Sequence, residues 1–487
     1  MELTGKKVTI VGLARSGAGA ARLLARTGAR VTVTDRKSEH ELSDTVMNLP
    51  SSVRYCLGGH PAGIFDTADL IVVSPGVPLD IRPLAEARAK GKRIIGELEL
   101  AYQIIEQQHT HGEGLQVAGK NTIPFFAVTG SNGKSTTTTL LNHMLVKGGS
   151  RTMFGGNIGN ALTEEICGIL EGGRGSGLSA WPDAVVAEIS SFQLEAIERF
   201  RPDVAAILNI TPDHLDRYHS MEEYGAAKAG IFRNQQPSDF LVLNADDPET
   251  MRLYETRIKG KGGRPRVIFF SRAREVEGLF MKNGSVMVLS PLLRAEHAVT
   301  LVSAADIRIK GVHNLENAMA ASAMALLAGC PVRAVADCLR EFPGLEHRLE
   351  LVREFEGVKY INDSKGTNIG AVLKSIESFS EPLILIAGGR DKAGDFSELR
   401  KPVSRKVKAL VLIGEASDKI RAALGDVTRT IAAKDLGDAV EAARATAQAG
   451  DVVLLSPACA SFDMFRDFED RGRQFKRIVM DLEIAHA

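Results

Sequence analysis

Short apolar runs recur along the chain, each followed by small or charged residues and then by a longer segment with helical spacing. In the first part, Lys7 to Val11, Arg30 to Thr34, Leu70 to Val73 and Ile94 to Glu97 read as strands, and an Ala-rich helix runs to about Arg26. The pattern resumes with strands at Ile123 to Val128, Ala184 to Ile189, Ala205 to Ile210, Phe240 to Asn244 and Val267 to Phe270. Helices are expected at Thr137 to Val146, at Tyr224 to Phe232 and from His313 onward. A last series places strands at Val358 to Asn362, Leu383 to Ala387, Ala409 to Ile413 and Asp451 to Leu455. Strands alternating with helices predict α/β layers built on parallel sheets. Two interruptions divide the series: the polar, His- and Gly-rich stretch Gln107 to Gly119, read as a linker, and Phe342-Pro-Gly-Leu-Glu-His-Arg348. The expected domains are 1–117, 118–344 and 345–487. A chain of 487 residues suits about three domains of ~150 residues.

The stretch with the clearest chemistry is Ala127-Val-Thr-Gly-Ser-Asn-Gly-Lys-Ser-Thr136, between a predicted strand and a predicted helix. A Gly-rich turn at that place aims backbone N–H groups and a helix N-terminus at one spot, which suits a phosphate. Lys134 adds a mobile cation, and the Ser135 hydroxyl is placed to ligate Mg²⁺. Val128 stands where the usual pattern has its first glycine, so this is a variant P-loop. Glu188 ends a strand nearby, a position suited to holding Mg²⁺. Asp213, His214 and Asp216 follow another strand; they read either as a helix cap with solvated charges or as metal ligands, and their place in the same sheet favours the second. Asn314 and Asn317 share a helix face, where their amides suit a purine edge or ribose, with helix capping by Asn314 as the alternative.

Composition narrows the function. Lys plus Arg equals Asp plus Glu, for a formal net charge of zero, which argues against nucleic acid or an anionic membrane as the main partner. Five widely spaced cysteines with no C-x-x-C point to a reducing compartment without structural zinc. Cys459 has no visible base beside it and reads as a small buried hydrophobe. His109 and His111 fall in the linker and read as solvated rather than ligating. Gly172 to Ser179 reads as an insertion. The chain opens Met-Glu-Leu-Thr-Gly-Lys-Lys and goes straight into a strand, so no signal peptide is expected; no membrane span is expected either, and the expected location is the cytoplasm. The opening strand–helix–strand ends at an acidic residue, as in dinucleotide folds, but its glycines run G-x-x-x-x-G, which points away from NAD.

The motifs T-G-S-N-G-K-S-T, G-G-N-I-G, E-I-S-S-F-Q-L-E, T-P-D-H-L-D-R-Y, H-N-x-x-N, G-L-E-H-R, N-D-S-K-G-T-N, G-G-R-D-K and S-P-A-C-A-S-F-D-M-F occur in this order over essentially the whole chain. The set resembles the Mur ligases. Glu346 stands where that family often has proline, and the regions 107–119, 172–180 and 259–287 look longer than usual and read as loops. The resemblance implies a Rossmann-like N-terminal domain, a central P-loop ATPase domain and a Rossmann-like C-terminal domain. It implies an ATP- and Mg²⁺-dependent amide ligation that adds D-glutamate to UDP-N-acetylmuramoyl-L-alanine through an acyl phosphate, by a monomer. Matched motif by motif, it assigns Gly130, Ser131, Asn132, Gly133, Lys134, Ser135, Thr136, Asn314, Asn317, Arg348 and Asp363 to ATP. Ser135, Glu188, His214 and Lys228 would serve the metal, Lys228 as a carbamylated lysine, with Lys134, Glu188, His214 and Lys228 catalytic. Arg15, Ser16, Asp35, Arg36, Ser74, Asn157, Ser190 and Gln193 would take the UDP-substrate; Lys392, Ser461 and Phe468 would take D-glutamate. Two rivals remain at this level: a sister ligase using another amino acid or folate, and a nucleotide-sugar-binding protein without turnover.

Overall fold

The structure, a computed structural model, describes residues 1–108, 117, 122–172, 181–215, 217–391 and 394–483. His109, His111, Asp216, Lys392 and nearly all of the Gly172–Ser179 insertion lie outside the described residues. The chain forms two compact units. One comprises Met1–Ile210, Ser220–Asp306 and Glu316–Arg340; the other comprises Thr211–His219, Ile307–Leu315 and the chain from Glu341 onward.

The first unit holds two sheets. The smaller runs in the order Arg54–Leu57, Arg30–Asp35, Lys7–Val11, Leu70–Val73, Ile94–Gly96, all parallel. Chain order reverses between Lys7–Val11 and Leu70–Val73, so the loops after these two strands diverge and open a crevice. Val8, Ile10, Val31, Val33 and Val72 pack one face against Ala18, Ala21 and Leu24 of the helix Arg15–Arg26. That helix starts close to its strand because of Gly17: a Cβ there would lie 1.9 Å from the Gly12 carbonyl oxygen. The G-x-x-x-x-G spacing is therefore a packing requirement of the turn.

The larger sheet has nine strands in the order Ala295–Ser303, Ser285–Ser290, Gly278–Lys282, Arg266–Ser271, Phe240–Asn244, Val204–Ile207, Phe125–Thr129, Ala184–Glu188, Thr152–Gly156. Phe125–Thr129 is buried along its whole length and pairs in parallel on both sides. The stretch 278–303 corrects the expectation of a loop near 259–287. Gly278–Lys282 joins the sheet in parallel, and the next two strands continue it antiparallel. Asn283 and Gly284 both hold positive φ, 49° and 74°, forming the two-residue turn that matches the twist of a hairpin.

The two sheets of this unit are locked together by buried carboxylates. Glu99 is fully buried and accepts the backbone N–H groups of Glu198, Arg199 and Phe200 at 2.8, 2.9 and 3.0 Å. Glu97 accepts the N–H and the hydroxyl of Thr163, and burial raises its pKa. Tyr102, Phe125 and Phe200 meet edge to face, with centroids 5.2 to 6.0 Å apart.

The second unit carries a six-stranded sheet in the order Glu350–Phe355, Val358–Asn362, Val452–Leu455, Leu383–Gly388, Val407–Ile413, Arg429–Ala432. Only its first strand is antiparallel. Apart from Gly278–Lys282 and Ser285–Ser290, the strands not anticipated from sequence sit at sheet edges: Arg54–Leu57, Thr152–Gly156, Ala295–Ser303, Glu350–Phe355 and Arg429–Ala432. Edge strands are half-exposed and lack a long apolar run. The motif Gly155-Gly-Asn-Ile-Gly159 starts inside the strand Thr152–Gly156 and turns only afterwards.

Candidate active site

The P-loop lies between the strand Phe125–Thr129 and the helix Lys134–Lys147. Gly133 has φ +86°, and a Cβ there would lie 2.2 Å from Oδ1 of Asn317, so only glycine fits. Lys134 Nζ donates to the carbonyls of Gly130 and Ser131 at 2.9 and 3.0 Å. Ser135 and Thr136 are buried in the first helical turn. The loop is held from the neighbouring strand by Asn209, which sequence reasoning missed. Its carbonyl accepts the Ser131 N–H, its Oδ1 accepts the Asn132 N–H at 2.9 Å, and its Nδ2 donates to the Asn132 carbonyl. The sequence signal is an asparagine two residues past the end of a buried apolar strand. Asn317 lies beneath the loop, its Oδ1 accepting the Thr137 hydroxyl, and so supports the P-loop's shape.

Beside the P-loop, Glu188 ends its strand in register with Val128. It is 3% exposed. Its Oε1 accepts the Asn157 amide at 2.6 Å, and its buried Oε2 has no hydrogen-bond partner. A buried carboxylate oxygen without a partner is costly unless a cation or proton completes it. Lys228, 1% exposed, donates from Nζ to the Gly130 carbonyl at 2.8 Å and lies 4.5 Å from the Tyr224 ring centroid. Tyr224 in turn bonds through its hydroxyl to Ser131 at 3.2 Å. The Ser135 hydroxyl and the unpartnered Glu188 oxygen, both buried beside the P-loop, are of the hard oxygen type that suits Mg²⁺, whereas the Lys228 amine, as it stands, is a donor and would need to become a carbamate to join them.

A cavity of 390 Å³ opens at the switch point of the smaller sheet. Arg15, Ser16, Asp35 and Ser74 line it from that sheet, and Asn157 and Gln193 from the larger one. Asp35 is shaped by its backbone: Oδ2 accepts the Leu13 N–H at 2.6 Å and Oδ1 the Lys37 N–H at 2.8 Å. Ser74 donates to the Gly12 carbonyl at 2.8 Å, tying the two diverging loops, and Arg15 reaches the Gly159 carbonyl at 3.4 Å. Arg36 and Ser190 are not among the lining residues. Arg36 is exposed beyond the strand end, and Ser190 caps the helix Ser191–Glu195 in a capping box with Gln193. Gly156, Gly159 and Ala161 line the cavity as well and were not anticipated.

In the second unit, His214 takes φ 55°, and its N–H donates to Asp213 Oδ1 at 3.0 Å. Asn314 lies inside the first turn of the helix Val312–Leu327 and donates to the Lys310 carbonyl at 2.8 Å. Arg348 stands between His347 and Leu349, both with positive φ. Asp363 is buried and accepts the hydroxyls of Ser375 and Ser456 at 2.7 and 2.6 Å and the Leu349 N–H at 3.4 Å. Burial raises its pKa to about 6, against the lowering pull of the two serines. Ser461 is buried, and the ring of Phe468 is covered by Lys365 Nζ, 3.6 Å from its centroid. Cys459 is fully buried, which pushes its thiol up to about 12 and removes it as a nucleophile. Arg471 was missed: it is fully buried and donates to the Ser364 hydroxyl and to the carbonyls of Ser364 and Cys459, joining the loops after two strands of this sheet.

A P-loop in the middle of a mainly parallel sheet, with an acidic strand end beside it and further α/β sheets before and after, defines a multidomain P-loop nucleotide-binding protein. Three family descriptions match in order: the Mur ligase MurD-like N-terminal domain at residues 6–96, the Mur ligase middle domain at 128–325 and the Mur ligase glutamate ligase domain at 347–459. The chain belongs to the Mur ligase family. It is 46% identical over 485 residues, 99% of each chain, to the UDP-N-acetylmuramoylalanine–D-glutamate ligase of Geotalea uraniireducens. The protein of that name from Pelobacter propionicus is also 46% identical, over 99% of this chain and 100% of its own. Among solved structures, the MurF ligase of Thermotoga maritima in complex with ADP has a TM-score of 0.59 at 16% identity, covering 97% of this chain and 98% of that one. The UDP-N-acetylmuramate-alanine ligase of the same organism has a TM-score of 0.57 at 19% identity, covering 98% and 99%. These two likenesses establish the shared fold.

Proposed function

We propose that this chain joins D-glutamate to UDP-N-acetylmuramoyl-L-alanine in an ATP-dependent amide ligation, a step of peptidoglycan precursor synthesis in the cytoplasm. The observation that carries the reading is the 390 Å³ cavity and what stands at its end. Asn157 lines that cavity and also bonds Glu188, whose strand runs in register beside the P-loop strand. A substrate whose nucleotide end lies against Arg15, Ser16, Asp35 and Ser74 thereby presents its alanyl carboxylate next to the phosphate-binding loop. The relatives that match over the whole length carry the name of this ligase.

The chemistry follows from charge. The carboxylate attacks the terminal phosphorus of ATP, ADP leaves, and an acyl phosphate remains. The D-glutamate amine then attacks the acyl carbon, loses a proton, and phosphate departs as the amide forms. Both partners of the first step are anions, so Lys134 and the amides of Gly130 to Thr136 neutralise charge that grows in the transition state. Ser135, Glu188 and His214 are the residues assigned to Mg²⁺, which would supply further charge neutralisation. Lys228 is assigned as carbamylated: its neutral amine adds CO₂ and loses a proton, replacing a cation by an anion beside the metal. In the second unit Asn314, Arg348 and Asp363 keep the nucleotide roles, and Lys392, Ser461 and Phe468 the D-glutamate roles, that the family resemblance implies. The same reading keeps the domain division at 117/118 and 344/345, supported by the three family matches and the three sheets, and treats the protein as a monomer.

The test is ADP release with UDP-N-acetylmuramoyl-L-alanine and each amino acid in turn. D-glutamate alone should support it. Equal release with another amino acid would move the chain to a sister specificity, and no release with any would overturn the reading.

A further inference from the structure

A second cavity, of 540 Å³, lies at the other end of the smaller sheet. Each of three adjacent strands begins there with a cation: Lys7, Arg30 and Arg54. Register places Lys7 directly opposite Arg30, and Arg54 opposite Thr32. Because side chains alternate between faces, Lys7, Thr9, Arg30, Thr32 and Arg54 share one face, with strands only ~4.8 Å apart. Like charges directly opposite each other on one face repel. Some cations near this sheet are paired, as Lys90 is with Asp66 and Arg93 with Glu198. Among the described residues, the side chains of Lys7, Arg30 and Arg54 have neither an ion pair nor a hydrogen bond. Asp69 is engaged by the Lys7 backbone N–H at 2.8 Å. The Thr9 hydroxyl is committed to the Ile64 carbonyl, whereas those of Thr32 and Ser52, which also line the cavity, make no hydrogen bond among the described residues.

We propose that this cavity binds a small polyphosphate anion, either free or carried by a nucleotide, at a site separate from the P-loop and from the substrate pocket. Three exposed cations on one face of the sheet and two hydroxyl donors supply charge-assisted bonds to a chain of phosphates, and the bound anion relieves the repulsion between Lys7 and Arg30. Ile64 and Ala68, on the same face, provide an apolar floor beside them. A nucleic acid or membrane would need an extended basic surface; a chain of zero net charge with three cations gathered in one cavity suits a compact anion.

The full chain carrying Lys134→Ala, which weakens phosphate binding at the P-loop, is titrated calorimetrically with inorganic triphosphate and, separately, with guanosine triphosphate. The titrations are repeated after adding Arg30→Gln and Arg54→Gln. If Lys134→Ala does not fold, chains with Lys134 intact and saturated with ADP replace it. The expected result is binding that the two added substitutions weaken by roughly tenfold or more and that rising salt weakens further. Tighter binding of the nucleotide assigns the apolar floor to its nucleoside; equal binding assigns the site to the phosphates alone. Arg30→Gln/Arg54→Gln without ligand should keep full ligase activity and melt no lower than the parent at low salt. Absence of binding, or binding that survives both substitutions, would overturn the proposal.

Discussion

Glu188 and Asp363 are both buried carboxylates at or just after the carboxyl end of a parallel strand, yet their surroundings differ. Glu188 keeps one oxygen for Asn157 and has one with no partner. Asp363 spends both oxygens on Ser375, Ser456 and the Leu349 N–H, all within its own unit. Burial at a strand end is thus not in itself a sign of a ligand site. What separates the two is whether the protein completes the hydrogen bonding of the carboxylate. Glu188 is arranged to receive something, and Asp363 to hold two loops and a helix in place. The family role of Asp363 toward ATP would then act through the shape of the loop it supports.

The comparison is sharpest at the P-loop, the machinery beside Glu188. Lys134→Ala should leave the fold intact, measured by circular dichroism, and lower ATP turnover by ~10²–10³ or more, the loss typical of one preorganised donor. Near-normal phosphate release from the folded variant would remove the P-loop assignment. Lys392→Ala tests the proposed D-glutamate role: if Lys392 pairs with the side-chain carboxylate of D-glutamate, its loss costs on the order of 2–5 kcal/mol. The Michaelis constant for D-glutamate should rise strongly while those for ATP and the UDP-substrate stay nearly constant. An effect on ATP instead would reassign Lys392 to the nucleotide.

Glu188→Gln should raise the Mg²⁺ concentration for half-maximal activity by ~10–100-fold or more while leaving the melting temperature almost unchanged, since Oε2 has no hydrogen-bond partner to lose and the glutamine Oε1 can still accept the Asn157 amide. Asp363→Ala should do the reverse in stability, lowering it by about 1–3 kcal/mol because two serine hydroxyls lose their acceptor. If Asp363→Ala melts like the parent but no longer uses ATP, the contrast between the two carboxylates is wrong.

The smallest effect is in pH. Burial holds His313 down at about 4, below its ordinary 6.5, with Lys374 and Arg348 adding to the lowering. The unfolded chain therefore binds a proton there first, and the stability this histidine contributes is lost as pH falls from 6.5 toward 4. Asp363, raised from 3.8 to about 6, has the opposite sign: the folded state retains its proton, and its contribution declines as pH rises through that window. The two slopes oppose each other. Asp363→Asn should unmask the histidine, so that denaturation midpoints rise more steeply between pH 4 and 6.5 than in the parent. An unchanged slope would show that one of these two environments is misread.

Local chemistry was legible along the chain, because a P-loop, a capping box and an alternation of strands and helices are each written within a few neighbouring residues. Thr129 to Thr136, the strand end at Glu188 and the family motifs could be named without knowing what lies beside them. The hairpin at Asn283-Gly284 is equally local, an Asn-Gly pair between two apolar runs, inside a stretch whose length suggests a loop. Asn209, Tyr224 and Arg471 carry no motif of their own, and their roles emerge only from the partners that folding supplies.

What tertiary structure alone decided is which residues meet. Strand order brings Asn157 and Gln193 into one cavity with Arg15 and Ser74, and leaves Arg36 and Ser190 off its lining. Register sets Lys7 against Arg30, and packing determines that Glu188 keeps an open oxygen while Asp363 does not. The physical reason is range. Propensity, capping and turn chemistry act over a few residues, whereas pairing register, desolvation and the completion of a buried hydrogen bond depend on segments that sequence separation does not bring together and only the folded sheets do.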